Sequence, residues 1–287
     1  AASNEIIKRI TTAPGVSIDT TLYLPNKLPA PAVMIAHGFG GSKDSVADDA
    51  KFFRDAGYVV LTWSSRGFGK STGLISMNSQ DGEVADSKAL ITYLAGLNQL
   101  KKTGGDPIVA IMGSSYGGAN ALLTASTDKR IDAVIADITW SNLENALFPQ
   151  SDIASKESGP FKKVWAGTFF TAASLQNAYL GECGSFADIW CATYKEAALN
   201  GAPNPNTRKL LESVSPINFV NKIKAPTLLS QGQADSLFPL NESVDTAKAI
   251  AKSNPKLPLA MIWHAGGHDG GVNESKYLND QYLKWLN

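Results

Sequence analysis

Residues 108–126 read IVAIMGSSYGGANALLTAS and set Ser114 and Ser115 side by side in a glycine-rich crease. The stretch Gly113-Ser114-Ser115-Tyr116-Gly117 fits G-x-S-x-G with Ser115 at its centre. Small residues on either side allow a turn tight enough to lift the central serine over the end of a sheet, so Ser115 is the candidate nucleophile and Ser114 should point elsewhere. A serine hydroxyl attacks poorly until a base takes its proton, and the base needs an acid to orient it. Three histidines are available: His37 before Gly38-Phe39-Gly40-Gly41, His264, and His268 after Ala265-Gly266-Gly267. In the chain order serine, acid, histidine the base comes from the last loop, which favours His268; His264, at the end of an apolar run, also suits a packed histidine. Asp235, in QGQADSLFP, is the leading acid and Asp137 the alternative. Asp269 adjoins His268, and neighbouring loop residues seldom align for the needed bond. Acyl transfer also puts negative charge on the former carbonyl oxygen, which calls for two preorganised donors. The N–H of Tyr116 is one expectation, and the N–H of Phe39 in the glycine-flanked HGFGG loop is the other.

These residues need elements to carry them. Residues 6–12 and 16–24 run β-branched or alternating around Ala13-Pro14-Gly15, an expected antiparallel hairpin. AVMIAH (32–37), YVVLTW (58–63), IVAIM (108–112), AVIADI (133–138), PTLLSQ (226–231) and PLAMIW (258–263) are short apolar runs, as in strands buried on both faces. Between them fall helical stripes: Val46, Ala50, Phe53; Leu90, Leu94, Leu97; Ala119, Leu122, Leu123, Ser126; and Val244, Ala247, Ala251. Alternating strand and helix predicts an α/β fold, a mostly parallel sheet with helices on both faces and ligands at the carboxyl ends of the strands. One gap is too long for a crossover. Residues 141–215 read as a cap inserted into a core of residues 1–140 and 216–287. The insertion carries Phe148, Phe161, Trp165, Phe169, Phe170, Phe186 and Trp190; Trp140, Trp165 and Phe169 are the candidate substrate pocket.

The bulk properties narrow the chemistry. Lys plus Arg and Asp plus Glu number 26 each, with no long run of one sign, which argues against a nucleic-acid partner. The apolar runs fall far short of the ~20 residues that cross a bilayer, so no membrane span is expected. No two histidines stand at ligand spacing with a carboxylate, so neither metal nor cofactor is expected. The Ala-Ala-Ser start resembles a processed secretory terminus, and secretion would suit a bond between the two cysteines, Cys183 and Cys191. Were GECGSFADIWC helical, they would lie about 12 Å apart and could not bond; glycines that bend the chain would let them. Ser64 to Ser71, SSRGFGKS, nearly matches a phosphate-binding P-loop, but Ser64 stands where glycine is required and TGLISMNSQDG after it has no helical stripe. Nothing in the sequence reports an oligomeric state.

HGFGG, SRGFGKSTG, GSSYGG, the Asp235 loop and the GGHD loop, in that order, resemble the α/β-hydrolase superfamily across most of the chain. RGFGKSTG and GSSYGG are similar to the branch of X-Pro dipeptidyl peptidases and cocaine-esterase-like enzymes. The resemblance implies an α/β-hydrolase fold and a serine hydrolase with Ser115, Asp235 and His268 as its triad. That branch often offers a tyrosine hydroxyl to the oxyanion; here Phe39 stands in its place, and only its backbone can serve. The expectation is cleavage of a small carboxylic ester or amide through an acyl-enzyme. Acyl transfer to an alcohol, X-Pro peptidase activity and a non-catalytic binding protein are the alternatives. A peptidase that removes dipeptides needs carboxylates for the substrate's α-ammonium, whereas Asp152, Glu157, Glu182, Asp188, Glu196 and Glu212 are dispersed.

Overall fold

The computed structural model describes residues 4–150 and 158–287; Ala1 to Ser3, Asp152 and Glu157 lie outside the described residues. The chain opens with the hairpin β1 (Glu5–Ala13) and β2 (Val16–Tyr23), paired antiparallel from Glu5 with Tyr23 to Ala13 with Val16. It continues as β3 (Ala32–Ala36), α1 (Ala47–Asp55), β4 (Val59–Trp63), α2 (Glu83–Ala95), β5 (Val109–Ser114), α3 (Tyr116–Thr127) and β6 (Ile131–Asp137). After β6 come α4 (Leu143–Leu147), α5 (Lys163–Leu175), α6 (Asp188–Asn200) and α7 (Pro205–Ser213). The last part is β7 (Thr227–Gly232), α8 (Leu240–Ser253), β8 (Leu259–His264) and α9 (Ser275–Leu286).

The strands form one eight-stranded sheet in the order β1, β2, β4, β3, β5, β6, β7, β8. Pairing is parallel from β4 to β8 and antiparallel only where β2 meets β1 and β4. The continuous apolar runs are explained by burial on both faces: every residue of β3 and of β4 is buried. Alternate side chains then choose a side. Ala32, Met34 and Ala36 pack with Leu90, Leu122 and Ile250 of α2, α3 and α8. Val33 and Ile35 pack with Phe53 of α1 and Leu278 of α9. The expected helical stripes are shifted at two ends: Leu97 falls beyond the last residue of α2, and Ala251 is exposed while Ile250 turns to the core.

Helices α4 to α7 lie in the segment between β6 and β7. Its two ends are tied together, because Leu143 N–H donates to Ser215 Oγ at 2.9 Å and Ile217 N–H to the Ser141 carbonyl at 3.0 Å. Glu242 of α8 accepts the Ser141 N–H at 2.6 Å, and burial pushes its carboxyl up to about 7. Cys183 and Cys191 form a disulfide with their Cα atoms 5.7 Å apart. The chain bends at Gly184 (φ +50°) and α6 starts only at Asp188, so the distant, all-helical arrangement does not occur. Among the described residues no helix is long and apolar enough to cross a membrane.

Candidate active site

Ser115 sits between β5 and α3 with φ 54° and ψ −119°, a conformation that costs a non-glycine residue about 1–3 kcal/mol and persists only when its surroundings enforce it. They do so from both sides of the peptide: Ser115 N–H donates to the Asp137 carbonyl at 2.8 Å, and Thr139 Oγ1 donates to the Ser115 carbonyl at 2.7 Å. The flanking glycines are required by space, since a Cβ on Gly113 would collide with the Gly117 carbonyl group and one on Gly117 with the Ala36 carbonyl. One helical residue later, Asn78 Nδ2 donates to the Tyr116 carbonyl at 2.9 Å. Asn78 itself has φ 62° and is held by the wholly buried Glu83, whose carboxylate accepts the N–H groups of Ser76 and Asn78 at 2.7 Å each. Burial pushes the Glu83 carboxyl up to about 7. Thr139, Asn78 and Glu83 carry no sequence motif, so nothing in the pattern singled them out.

The structure brings Ser115, His268 and Asp235 together. Ser115 Oγ lies 2.7 Å from His268 Nε2, and His268 Nδ1 lies 2.6 Å from Asp235 Oδ2. Asp235 is fixed further by the N–H groups of Phe238 (2.7 Å) and His268 (3.2 Å). An imidazole that donates Nδ1–H to the carboxylate leaves Nε2 free to accept the serine proton. Asp269 instead accepts from Ser236, and Asp137 and His264, the alternative acid and base, bond to each other: Nε2 of His264 is 2.9 Å from Asp137 Oδ1. That bond holds the His264 imidazole above its ordinary range against the effect of burial. Ser114 does point elsewhere, its Oγ donating to Asp137 Oδ2 at 3.2 Å.

The HGFGG loop lies against the same turn, for a Cβ on Gly38 would be 4.0 Å from Ser115 Cβ. Its fold depends on His37, which burial keeps neutral by lowering its pKa to about 4. Nε2 of His37 accepts the Ser65 N–H at 2.9 Å, so Nδ1 carries the proton and donates it to the Gly38 carbonyl at 2.7 Å. Gly41 N–H reaches that same carbonyl at 3.0 Å. With the Gly38 carbonyl turned back into the loop, the next N–H, that of Phe39, has no hydrogen-bond partner among the described residues. The N–H of Tyr116, at the first position of α3, has none either, as expected of a helix start. The near P-loop segment is thereby accounted for: Ser65 steadies His37, Arg66 pairs with Asp86 at 2.6 and 2.8 Å, and Phe68 stands edge-on to both His37 and Phe39. The next helix starts only at Glu83, so no helix N-terminus follows the glycines.

Ser115 opens onto a cavity of about 130 Å³ whose walls include Phe39, Trp140, Phe148, Phe169, Phe170 and Trp190. Among the described residues that line it, none carries a charge. Of the three aromatic residues singled out, Trp140 and Phe169 lie in this wall and Trp165 does not. Its ring stands edge-on to His268 with centroids 6.1 Å apart, and its indole N–H donates to Ser236 Oγ at 3.1 Å. Phe238 meets His268 edge-on from a second direction at 5.3 Å. Lys162, at the start of α5, donates to the Ser236 and Leu237 carbonyls at 2.5 and 2.8 Å. Spacing alone gave no sign that Trp165 would serve the acid and base loops, because its helical stripe matches that of Phe169.

Comparisons with known proteins follow the same lines. The quorum-quenching protein AidA of Acinetobacter baumannii is 34% identical over 242 residues, 78% of this chain and 77% of that protein. The polyketide transferase GrgF of a Penicillium species is 29% identical over 131 residues, 44% of this chain and 42% of that protein. Among solved structures, the Pyrococcus furiosus esterase Pf2001 superposes with a TM-score of 0.67 at 18% identity, over 98% of this chain and 91% of that one. Est1E of Butyrivibrio proteoclasticus, solved with ferulic acid bound, superposes with a TM-score of 0.66 at 16% identity, over 97% of each chain. Residues 14–270 match the sequence profile of the X-Pro dipeptidyl-peptidase (S15) family. With its strand order and parallel sheet, the chain belongs to that family of α/β hydrolases.

Proposed function

We propose that the protein is a serine esterase that cleaves a small carboxylic ester through an acyl-enzyme. The observation that carries this reading is the hydrogen-bonded relay from Ser115 Oγ through His268 to Asp235, with Ser115 lining an aromatic cavity that has no charged residue among its described walls. His268 takes the Ser115 proton as Oγ attacks the ester carbonyl carbon, and the N–H groups of Phe39 and Tyr116 receive the oxyanion. His268⁺, stabilised by Asp235, then protonates the departing alkoxide, and water repeats the sequence in reverse to release the acid. Residues 141–215 act as the cap that closes the acyl pocket. Dry apolar voids of ~150 Å³ hold a molecule the size of benzene, so the cavity fits one aromatic ring or a short acyl chain. The disulfide supports folding in an oxidising, extracytoplasmic compartment.

The family description favours a second reading, removal of X-Pro dipeptides. A buried α-ammonium needs a carboxylate, and the described cavity walls carry none, which is why the ester is preferred. Kinship with a polyketide transferase adds acyl transfer to an alcohol as an alternative fate of the acyl-enzyme, detected as a new ester product when alcohol is supplied. The test compares kcat/KM for p-nitrophenyl butyrate and Gly-Pro p-nitroanilide, together with labelling by a fluorophosphonate. Labelling at Ser115 with ester turnover is expected. Efficient anilide cleavage that vanishes when the substrate amine is acetylated would overturn the esterase reading, and labelling of Ser115→Ala would overturn the nucleophile.

A further inference from the structure

The proposed reaction uses one serine, one histidine and one aspartate, yet a second aspartate and a second histidine are bonded together with two further serines beside it. Asp137 is the hub of this second group. Its Oδ2 accepts from Ser114 Oγ at 3.2 Å, and its Oδ1 accepts from Ser230 Oγ at 2.7 Å and from His264 Nε2 at 2.9 Å. Tyr282 of α9 closes the array with its hydroxyl 2.6 Å from Ser230 Oγ. A carboxylate in the middle takes hydrogen bonds from both sides and gives the serine no base, so the array does not generate a nucleophile.

Its connections point instead to geometry. Asp137 presents its backbone carbonyl to the Ser115 N–H, and its side chain holds the neighbouring Ser114, so one residue grips the nucleophile's turn twice. His264 ends β8 and touches the other two catalytic segments. Its carbonyl accepts the Gln233 N–H at 2.8 Å, in the loop that leads to Asp235. With Nε2–H given to Asp137, its Nδ1 accepts the Gly266 N–H at 3.3 Å, in the loop that leads to His268. None of these bonds involves a reacting atom, and together they tie the acid, base and nucleophile segments to one buried pair.

We propose that Asp137 and His264 form a positioning bracket that sets the distance and angle between Ser115 Oγ and His268 Nε2. The proposal rests on the Ser115, His268, Asp235 reading. A displacement of ~1 Å between reacting groups can cost on the order of 100-fold in rate. Loss of the bracket should therefore lower kcat and leave KM, which the cap cavity governs, nearly unchanged.

The decisive comparison is His264→Leu against His264→Gln, because glutamine keeps a donor for Asp137 and an acceptor for Gly266 while leucine keeps neither. We expect kcat on p-nitrophenyl butyrate to fall about 30-fold in His264→Leu with KM within about threefold, and His264→Gln to recover to within about threefold of the wild type. A folded His264→Leu with kcat within about twofold of the wild type would overturn the bracket, as would equal losses in the leucine and glutamine variants. Should His264→Leu fail to fold, Asp137→Asn decides: it keeps the shape but not the paired acceptors, and a kcat within about twofold of the wild type overturns the proposal, while a loss of about tenfold at unchanged KM supports it. Fluorophosphonate labelling of the wild type at Ser115 is read in parallel. Its failure removes the triad reading itself, whereas labelling with unaffected bracket variants removes only the bracket.

Discussion

Two groups of serine, histidine and aspartate stand at the same ends of the parallel strands, and they differ in which member occupies the middle. In one, His268 lies between Ser115 and Asp235; in the other, Asp137 lies between Ser114 and His264. The order decides the chemistry. An imidazole between hydroxyl and carboxylate accepts a proton on one nitrogen while its other N–H is held, so the hydroxyl can become a nucleophile. A carboxylate between hydroxyl and imidazole satisfies both donors and leaves the serine proton where it is. The surroundings differ in the same sense. Ser115 faces an apolar cavity, while the Asp137 group is packed under α9 through Ser230 and Tyr282. Residue types alone therefore do not set what such a group can do; the order of its hydrogen bonds does.

The largest effect is expected of Ser115→Ala. Turnover of an activated ester should fall on the order of 10⁴-fold or more, and retention of activity would transfer the nucleophile's role elsewhere. Asp235→Asn comes next, with a loss of about 10³–10⁴-fold, because the amide cannot stabilise the imidazolium and favours the wrong tautomer. If Asp235→Asn costs no more than the roughly tenfold expected of Asp137→Asn, the two aspartates are not functionally distinct.

Two measurements separate the arrays from the scaffold that covers them. Burial raises the Glu242 carboxyl from the ordinary 4.5 to about 7, so the folded state holds this proton more tightly than the unfolded chain. The stability it confers is full below about 4.5 and is lost as pH rises through 7. Wild-type stability relative to Glu242→Gln should accordingly fall by about 3 kcal/mol across that window and then level off, as measured by denaturation at a series of pH values. A flat difference would mean that the carboxyl is not buried at the roots of the insertion. Replacing Cys183 and Cys191 by serine should cost about 2–3 kcal/mol, read as a lower melting temperature, while kcat at 25 °C stays within a few fold, since neither cysteine side chain bonds to a member of either array. A large kcat loss at full folding would show that the insertion orders the catalytic loops. The smallest effect is expected of Ser114→Ala, which removes one 3.2 Å bond and should lower kcat less than about fivefold. A loss approaching that of Ser115→Ala would erase the distinction between the adjacent serines.

Much of this arrangement was legible in the order of residues. The continuous apolar runs report burial on both faces of a parallel sheet, and the glycines around Ser115 report a turn with no room for Cβ atoms. Both are local consequences of side-chain size and spacing, so a linear pattern records them. The supports were not legible. Asn78 reaches the Tyr116 carbonyl from a stretch without periodicity and is held by Glu83 at the start of α2, and Trp165 and Phe169 share a stripe yet meet the His268 loop and the cavity respectively.

The elements, the strained turn and the roster of polar side chains at the strand ends can all be read along the chain. Which of those polar side chains meet is set by the folding of the whole sheet. Asp235 reaches His268 across 33 residues and Asp137 reaches His264 across 127, and neither separation carries a periodic signal. The physical reason is range. Hydrophobic burial is nondirectional and repeats with the period of the backbone, so it is written locally. A hydrogen bond between two loops depends on positions to within a few tenths of an ångström, which are set by strand order and register across the whole sheet.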